Sequence, residues 1–277
     1  MGLLTDMARS SAARVAAARE RVPDAALRDA AIAAPPPPRL ALAPGGFDLI
    51  AELKLRSPSM GDLSAATLDP LRRLEGYAEG GAAICSILTE PTRFDGDLDH
   101  LKRAADVLAP YGVPAMRKDF LVDPYQVIEA RACGASGVLL IVRMLSHERL
   151  ASMLDCAAEL GLFVLLEAFD AADLAVARAV AAERAGRGEQ VLIGLNCRDL
   201  ETLAIDVGRF AALRDRLPSG WPSVAESGVQ TPQDAASVAA LGYRLALVGT
   251  SLMQRPDPRD AVRELLRAGR AARGDAA

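Results

Sequence analysis

Lysine is nearly missing from this chain. Of its 32 basic residues, three are lysine (Lys54, Lys102 and Lys118) and the other 29 are arginine. Either cation serves on a solvated surface, so lysine kept against that background points to a compact, titratable amine, which guanidinium cannot supply. Histidine is scarcer still. His100 and His147 both lie in polar, helical stretches, so acid–base chemistry here has to use Lys, Glu or Asp instead of the commoner imidazole. The four cysteines, Cys85, Cys133, Cys156 and Cys197, form no C-x-x-C pair. They read as reduced thiols of a cytoplasmic protein, and no His/Cys/carboxylate group has metal-ligand spacing. No apolar run approaches the ~20 residues of a bilayer span, which excludes a membrane helix. The formal charge of −4 and pI of about 5.4 argue against a nucleic-acid surface but allow a local basic pocket for a phosphate. In the Ala- and Arg-rich N-terminal stretch, Asp6, Glu20, Asp24 and Asp29 speak against a transit peptide. Asp6 also stands where a myristoylation signal carries Ser or Thr.

What the chain does have is a large apolar content, 51% of 277 residues. Residues 4 to 32 read as helical, and APPPPRLALAPGG then breaks the pattern as a polyproline-type linker. After it, short apolar β-rich runs recur: FDLIAEL, AAICSIL, VPAM, GVLLIV, FVLLEA, VLIGLN, PSVAES and LALVGT. They begin near residues 47, 82, 113, 137, 163, 191, 222 and 245. Helix-like segments lie between them, several opening on an Asp, Ser or Thr N-cap and several ending in Gly. Runs apolar on both faces fit parallel strands buried on both sides. Eight such repeats favour a closed (β/α)8 barrel, and AELKLRSPSMG after the first strand is not the G-x-G-x-x-G of a dinucleotide fold. The expectation is one α/β barrel domain over residues 1–277, with residues 1–45 as an N-terminal helical extension and Pro-rich linker covering one end.

In such barrels the chemistry sits at the C-terminal ends of the strands. Those ends carry Glu52 and Lys54, Lys118, Glu167, Asn196 and Arg198, Glu226 and Ser227, and Gly249 and Thr250. Two of the three lysines are among them. Three of these residues also have a plain alternative. Lys118 could pair with Asp119, Arg198 could pair with Asp199 or Glu201, and Glu167 could cap a loop. Lys102, in DLDHLKRAADVL, reads as a solvated helix face. ESGVQTPQD and LVGTSLMQ place small residues and glycine ahead of helices, where backbone N–H groups can approach an anion. SPSMG after the first strand is a third loop of that kind. Together the three loops suggest a phosphorylated small-molecule substrate.

IAELKLRSPSMG, ILTEPTRFDGDLDHL, MRKDFLVDPYQVIEARACGASGVLLI, LLEAFD, IGLNCRDL, VAESGV and LVGTSLM resemble, in order, the motifs of the indole-3-glycerol-phosphate synthase family. The match runs from about residue 45 to 255. That resemblance implies closure of the indole ring of tryptophan biosynthesis from 1-(2-carboxyphenylamino)-1-deoxyribulose 5-phosphate. Carbon dioxide and water are released, with no metal or organic cofactor. It implies that Lys118 protonates the substrate carbonyl, and that Lys54 holds the carboxylate and takes part in dehydration. Glu167 and Glu52 would position the lysines or accept protons, with Asn196, Arg198 and Glu226 as further polar members. Ser57, Ser227, Gly228, Gly249 and Thr250 would bind phosphate, and Pro58, Phe94, Phe120 and Leu139 would wall the anthranilate ring. Cys197 stands where the family often has asparagine, and Thr250 where it often has serine. A phosphoribosyl isomerase would share the phosphate loops but typically moves protons with Asp or Cys. A silent scaffold barrel would have no need of Lys118 or Glu167.

Overall fold

The computed structural model describes residues 2–44, 46–54, 56–57, 61–62, 69–200 and 202–274, with the backbone alone for 56–57 and 61–62. Eight parallel strands close into a barrel. They are β1 (Asp48–Leu53), β2 (Ile84–Leu88), β3 (Ala115–Lys118), β4 (Gly137–Ile141), β5 (Phe163–Ala168), β6 (Val191–Asn196), β7 (Ser223–Glu226) and β8 (Leu245–Val248). Each strand pairs with its sequence neighbours, and β1 closes the ring on β8, with Asp48 opposite Leu245. Every residue of these strands except Lys118 is buried, so the continuous apolar runs reflect two covered faces.

The faces divide by alternation. Leu49, Ala51 and Leu53 of β1 face the helical layer, while Ile50 joins a separate cluster inside the barrel. Met116, Leu165 and Val224 occupy the same inner cluster on β3, β5 and β7. Two residues further along these four alternate strands stand Glu52, Lys118, Glu167 and Glu226, all lining one cavity. Barrel interiors fill in layers drawn from alternate strands. Here the apolar layer is followed, toward the strand C-termini, by a layer of ionisable groups.

The expected N-caps are present. Asp123 accepts from Tyr125 N–H ahead of α6 (Pro124–Ala132), and Ser146 from Arg149 N–H ahead of α7 (His147–Glu159). Thr231 and Asp234 form a reciprocal capping box at α10 (Pro232–Ala240). Lys102 lies exposed on α5 (Leu98–Leu108).

The N-terminal stretch differs from the single helix expected over 4–32. It forms α1 (Leu3–Arg21) and α2 (Asp24–Ala33), broken at Val22–Pro23, where Pro23 has no N–H to continue the ladder. Only α1 reaches the mouth. Leu3 lines the cavity and Met7 joins the inner cluster. The second helix packs on α6 at the barrel's side, and its Leu27 and Ala31 belong to the outer core. Among the described residues no helix is long and apolar enough to cross a membrane.

Candidate active site

The ionisable layer is wired in pairs. Lys54 Nζ stands 2.9 Å from Glu52 Oε1, and Lys118 Nζ stands 3.9 Å from Glu167 Oε2. Asn196 at the end of β6 donates its amide N–H to Glu167 Oε1. The other end of that amide accepts from Arg198 N–H at 2.9 Å. Arg198 is held in turn by a bridge to Ile205 and by donation to the Leu203 carbonyl at 3.0 Å. It therefore does not need Asp199 as its anchor, and Glu201 lies outside the described residues. Lys118 does not pair with Asp119, the other plain alternative.

Burial and charge compete at each of these groups. Burial alone would favour the neutral amine of Lys118, but Glu167, Glu52 and Glu226 outweigh it and hold the ammonium protonated well past its ordinary range. Burial pushes the Glu52 carboxyl up, yet Lys54, Lys118 and Arg198 draw it below the usual carboxylate value. Glu226 goes the other way. Burial raises it strongly and Glu167 and Glu52 add to this, with only Lys118 opposing. Both its oxygens are buried without a hydrogen-bond partner among the described residues. The site thus holds a charged acid in Lys118, a carboxyl in Glu52 drawn below its usual range and a carboxyl in Glu226 whose proton affinity is raised.

Apolar residues wall one side. The Phe94 and Phe120 rings lie 6.2 Å apart at 37°, and Leu139 lines the same cavity. On the other side the chain turns sharply after β7, with Ser227 at φ +65 and Gly228 at φ +79. A Cβ on Gly228 would stand 2.7 Å from Val207 Cγ1, so only glycine fits that turn. After β8, Gly249 precedes α11 (Thr250–Gln254) and offers no side-chain cap. The first N–H groups of that helix have no intrahelical partner. Ser227, Gly228, Gly249 and Thr250 all border the cavity. Ser57 sits in a short hairpin that pairs 56–57 with 61–62 after β1, and Pro58 lies outside the described residues.

One important group escaped the sequence reading, which treated Asp119 only as a local partner for Lys118. Arg14 of α1 grips Asp119 with two hydrogen bonds of 2.9 and 2.8 Å. Thr89 donates to the same carboxylate at 2.9 Å, Arg117 at 3.3 Å, and Phe120 N–H at 2.8 Å. Asp119 therefore ties the loop between Lys118 and Phe120 to the N-terminal helix. A pairing 105 residues apart leaves no local signal in sequence. Leu3, Leu200, Leu203 and Ile205 also line the cavity. They come from loops and an extension whose placement periodicity does not specify.

Comparison with known proteins gives this geometry a family. The model of the family described as indole-3-glycerol phosphate synthase matches residues 4–265. A protein of that name from Mycobacterium leprae (strain Br4923) is 43% identical over 245 residues, covering 88% of this chain and 86% of the relative. One from Mycobacterium ulcerans (strain Agy99) is 42% identical over 259 residues, covering 93% and 91%. Among solved structures, a thiamine phosphate pyrophosphorylase from Pyrococcus furiosus superposes with a TM-score of 0.58 at 15% identity, covering 82% of this chain and 97% of that one. The 3-hexulose-6-phosphate synthase from Salmonella typhimurium gives 0.58 at 14%, covering 80% and 98%. At that identity the two structures speak to the barrel alone. The family match spans the extension from residue 4, the barrel strands and every site residue named above except Leu3, and the chain belongs to the indole-3-glycerol phosphate synthase family.

Proposed function

We propose that this mouth binds 1-(2-carboxyphenylamino)-1-deoxyribulose 5-phosphate and converts it to indole-3-glycerol phosphate, carbon dioxide and water, as a carboxy-lyase of tryptophan biosynthesis. One observation carries the reading: two of the chain's three lysines line a single cavity with Glu52, Glu167 and Glu226. Ring closure joins the carboxylate-bearing aromatic carbon to the ketone carbon, and the carbonyl oxygen must gain a proton as the bond forms. Lys118 is held as ammonium beside Glu167 and suits that donation. Loss of carbon dioxide then restores the aromatic ring. Dehydration removes the new hydroxyl with a proton and takes a second proton from the adjacent carbon. Lys54, paired with Glu52, is assigned the substrate carboxylate and the dehydration acid, and Glu167 or Glu52 the base. Asn196 and Arg198 hold Glu167 in place, and Glu226 supplies a buried carboxyl that holds a proton more tightly than usual.

Ser57, Ser227, Gly228, Gly249 and Thr250 are assigned to the phosphate, and Pro58, Phe94, Phe120 and Leu139 to the anthranilate ring. An isomerase of phosphorylated sugars would share the phosphate loops but would not need two lysines at strand ends. The cytoplasm is the proposed location, supported by four free cysteines. The deciding experiment follows absorbance and fluorescence as purified protein is mixed with the anthranilate derivative. Appearance of the indole spectrum is the expected result. A flat trace with authentic substrate would overturn the assignment.

A further inference from the structure

Gly194 lies inside β6, in register with Glu167 of β5 and Val224 of β7. A strand interior does not ask for glycine, and glycine there often marks a close approach. A Cβ at this position would run into Glu226 Oε1, and would stand 3.0 Å from Glu226 Cδ and 3.1 Å from Leu165 Cδ1. The Glu226 carboxyl therefore occupies the volume of the missing side chain. Gly249 and Glu52 repeat the arrangement at the adjoining β8–β1 seam, where a Cβ would stand 2.5 Å from Glu52 Oε1. Gly249 also opens α11, so Gly194 is the cleaner instance.

We infer that Gly194 is a positioning residue: the empty space above its Cα is a slot that sets where the Glu226 carboxyl stands in the mouth. The slot keeps Glu226 against β6 and away from water, which raises its affinity for a proton. The groups facing it are Glu167, Lys118 and Glu52. A methyl group at 194 would drive the carboxyl toward solvent and Lys118, where it ionises more readily. The catalytic consequence rests on the role proposed above for Glu226; the slot itself does not.

Four proteins test this: parent, G194A, E226A and G194A/E226A. In thermal unfolding, G194A is expected to lower Tm in the parent and to cost much less in the E226A background, where the methyl enters vacated space. Equal losses in both backgrounds, or a double variant that fails to fold while E226A folds, would overturn the slot. In ring-closure kinetics, G194A is expected to lower kcat/KM about 10²-fold, the scale of an ~1 Å misplacement. The pH limb that disappears in E226A should move to lower pH in G194A. A parent-like rate and profile in G194A would overturn the positioning role. Parent activity in E226A would instead remove Glu226 from the chemistry, and with it the catalytic half of the inference. The Tm comparison would still decide whether the slot exists.

Discussion

Arg117 and Lys118 are neighbours in sequence and face opposite sides of the barrel wall. Arg117 turns outward and is buried in the helical layer, where its guanidinium donates to Thr89 Oγ1, the Gln126 carbonyl and Glu129 at 3.1, 2.9 and 2.8 Å. Lys118 turns inward to the cavity and Glu167. The outward position uses a planar fork with several fixed acceptors, which is what arginine offers. The inward position uses a single proton on a compact amine. Alternation along one strand thus explains why the two cations differ.

Replacing Lys118 with Arg should therefore keep the fold and lose turnover. Guanidinium keeps the charge, but its bulkier planar fork cannot place one proton on the developing alkoxide as the compact ammonium does. Loss of a general acid costs about 10²–10⁴ in kcat, or roughly 3–5 kcal/mol. Steady-state kinetics on a protein with parent-like Tm checks this, and a kcat within a few-fold of parent would end the acid role.

Glu167 touches both Asn196 and Lys118, so Glu167→Gln should lower kcat whichever role it has. The pH profile separates the roles. If Glu167 is the base, the acidic limb of kcat disappears with the titrating group. If it serves to hold Lys118 charged, the acidic limb stays. The alkaline limb then moves to lower pH, because removing the nearest anion makes the ammonium easier to deprotonate. Unchanged kcat and both limbs unmoved would exclude Glu167 from the mechanism.

For the phosphate side, Ser227→Ala and Thr250→Ala should raise KM more than they lower kcat. Phosphate is held alike in the ground and transition states, and uniform binding appears in KM. The parent should bind dephosphorylated substrate poorly and the variants should discriminate less. Equal KM for the two substrates in the parent would refute the assignment.

The Arg14–Asp119 pair predicts an acid-dependent tether. Burial would raise the Asp119 carboxyl, but Arg14, Arg117 and Phe120 N–H lower it to about 2. A carboxyl depressed in the folded state adds stability above its unfolded value of about 3.9, and that stability is lost as pH falls toward its folded value. Arg14→Met removes hydrogen bonds to a charged group, worth about 1.5–3 kcal/mol. The variant should melt lower at neutral pH and begin acid unfolding at higher pH than the parent. Coincident acid titrations by circular dichroism would count against the tether. Deleting residues 1–34 should cost more than Arg14→Met, because Val15, Leu27 and Ala31 leave the core as well, and it should also weaken substrate binding.

The barrel was legible because its determinants are local. Two-sided apolar runs, N-caps and turn glycines act over a few residues, and the expected strand starts fall within two residues of those observed. The ionisable layer was legible for the same reason: a residue two past a buried apolar one points the same way, so Glu52, Lys118, Glu167 and Glu226 follow from Ile50, Met116, Leu165 and Val224. Which of these groups pair was decided by the closed ring, which sets Lys118 beside Glu167 instead of Asp119. The break at Pro23 was readable in principle, since proline removes a ladder donor. That α2 leaves the mouth and packs on α6 depends on an apolar face finding its partner about a hundred residues away. The grip of Arg14 on Asp119 and the slot at Gly194 belong to the same class. They exist only where tertiary packing brings two distant strands or helices within contact, and spacing along the chain holds no record of that distance.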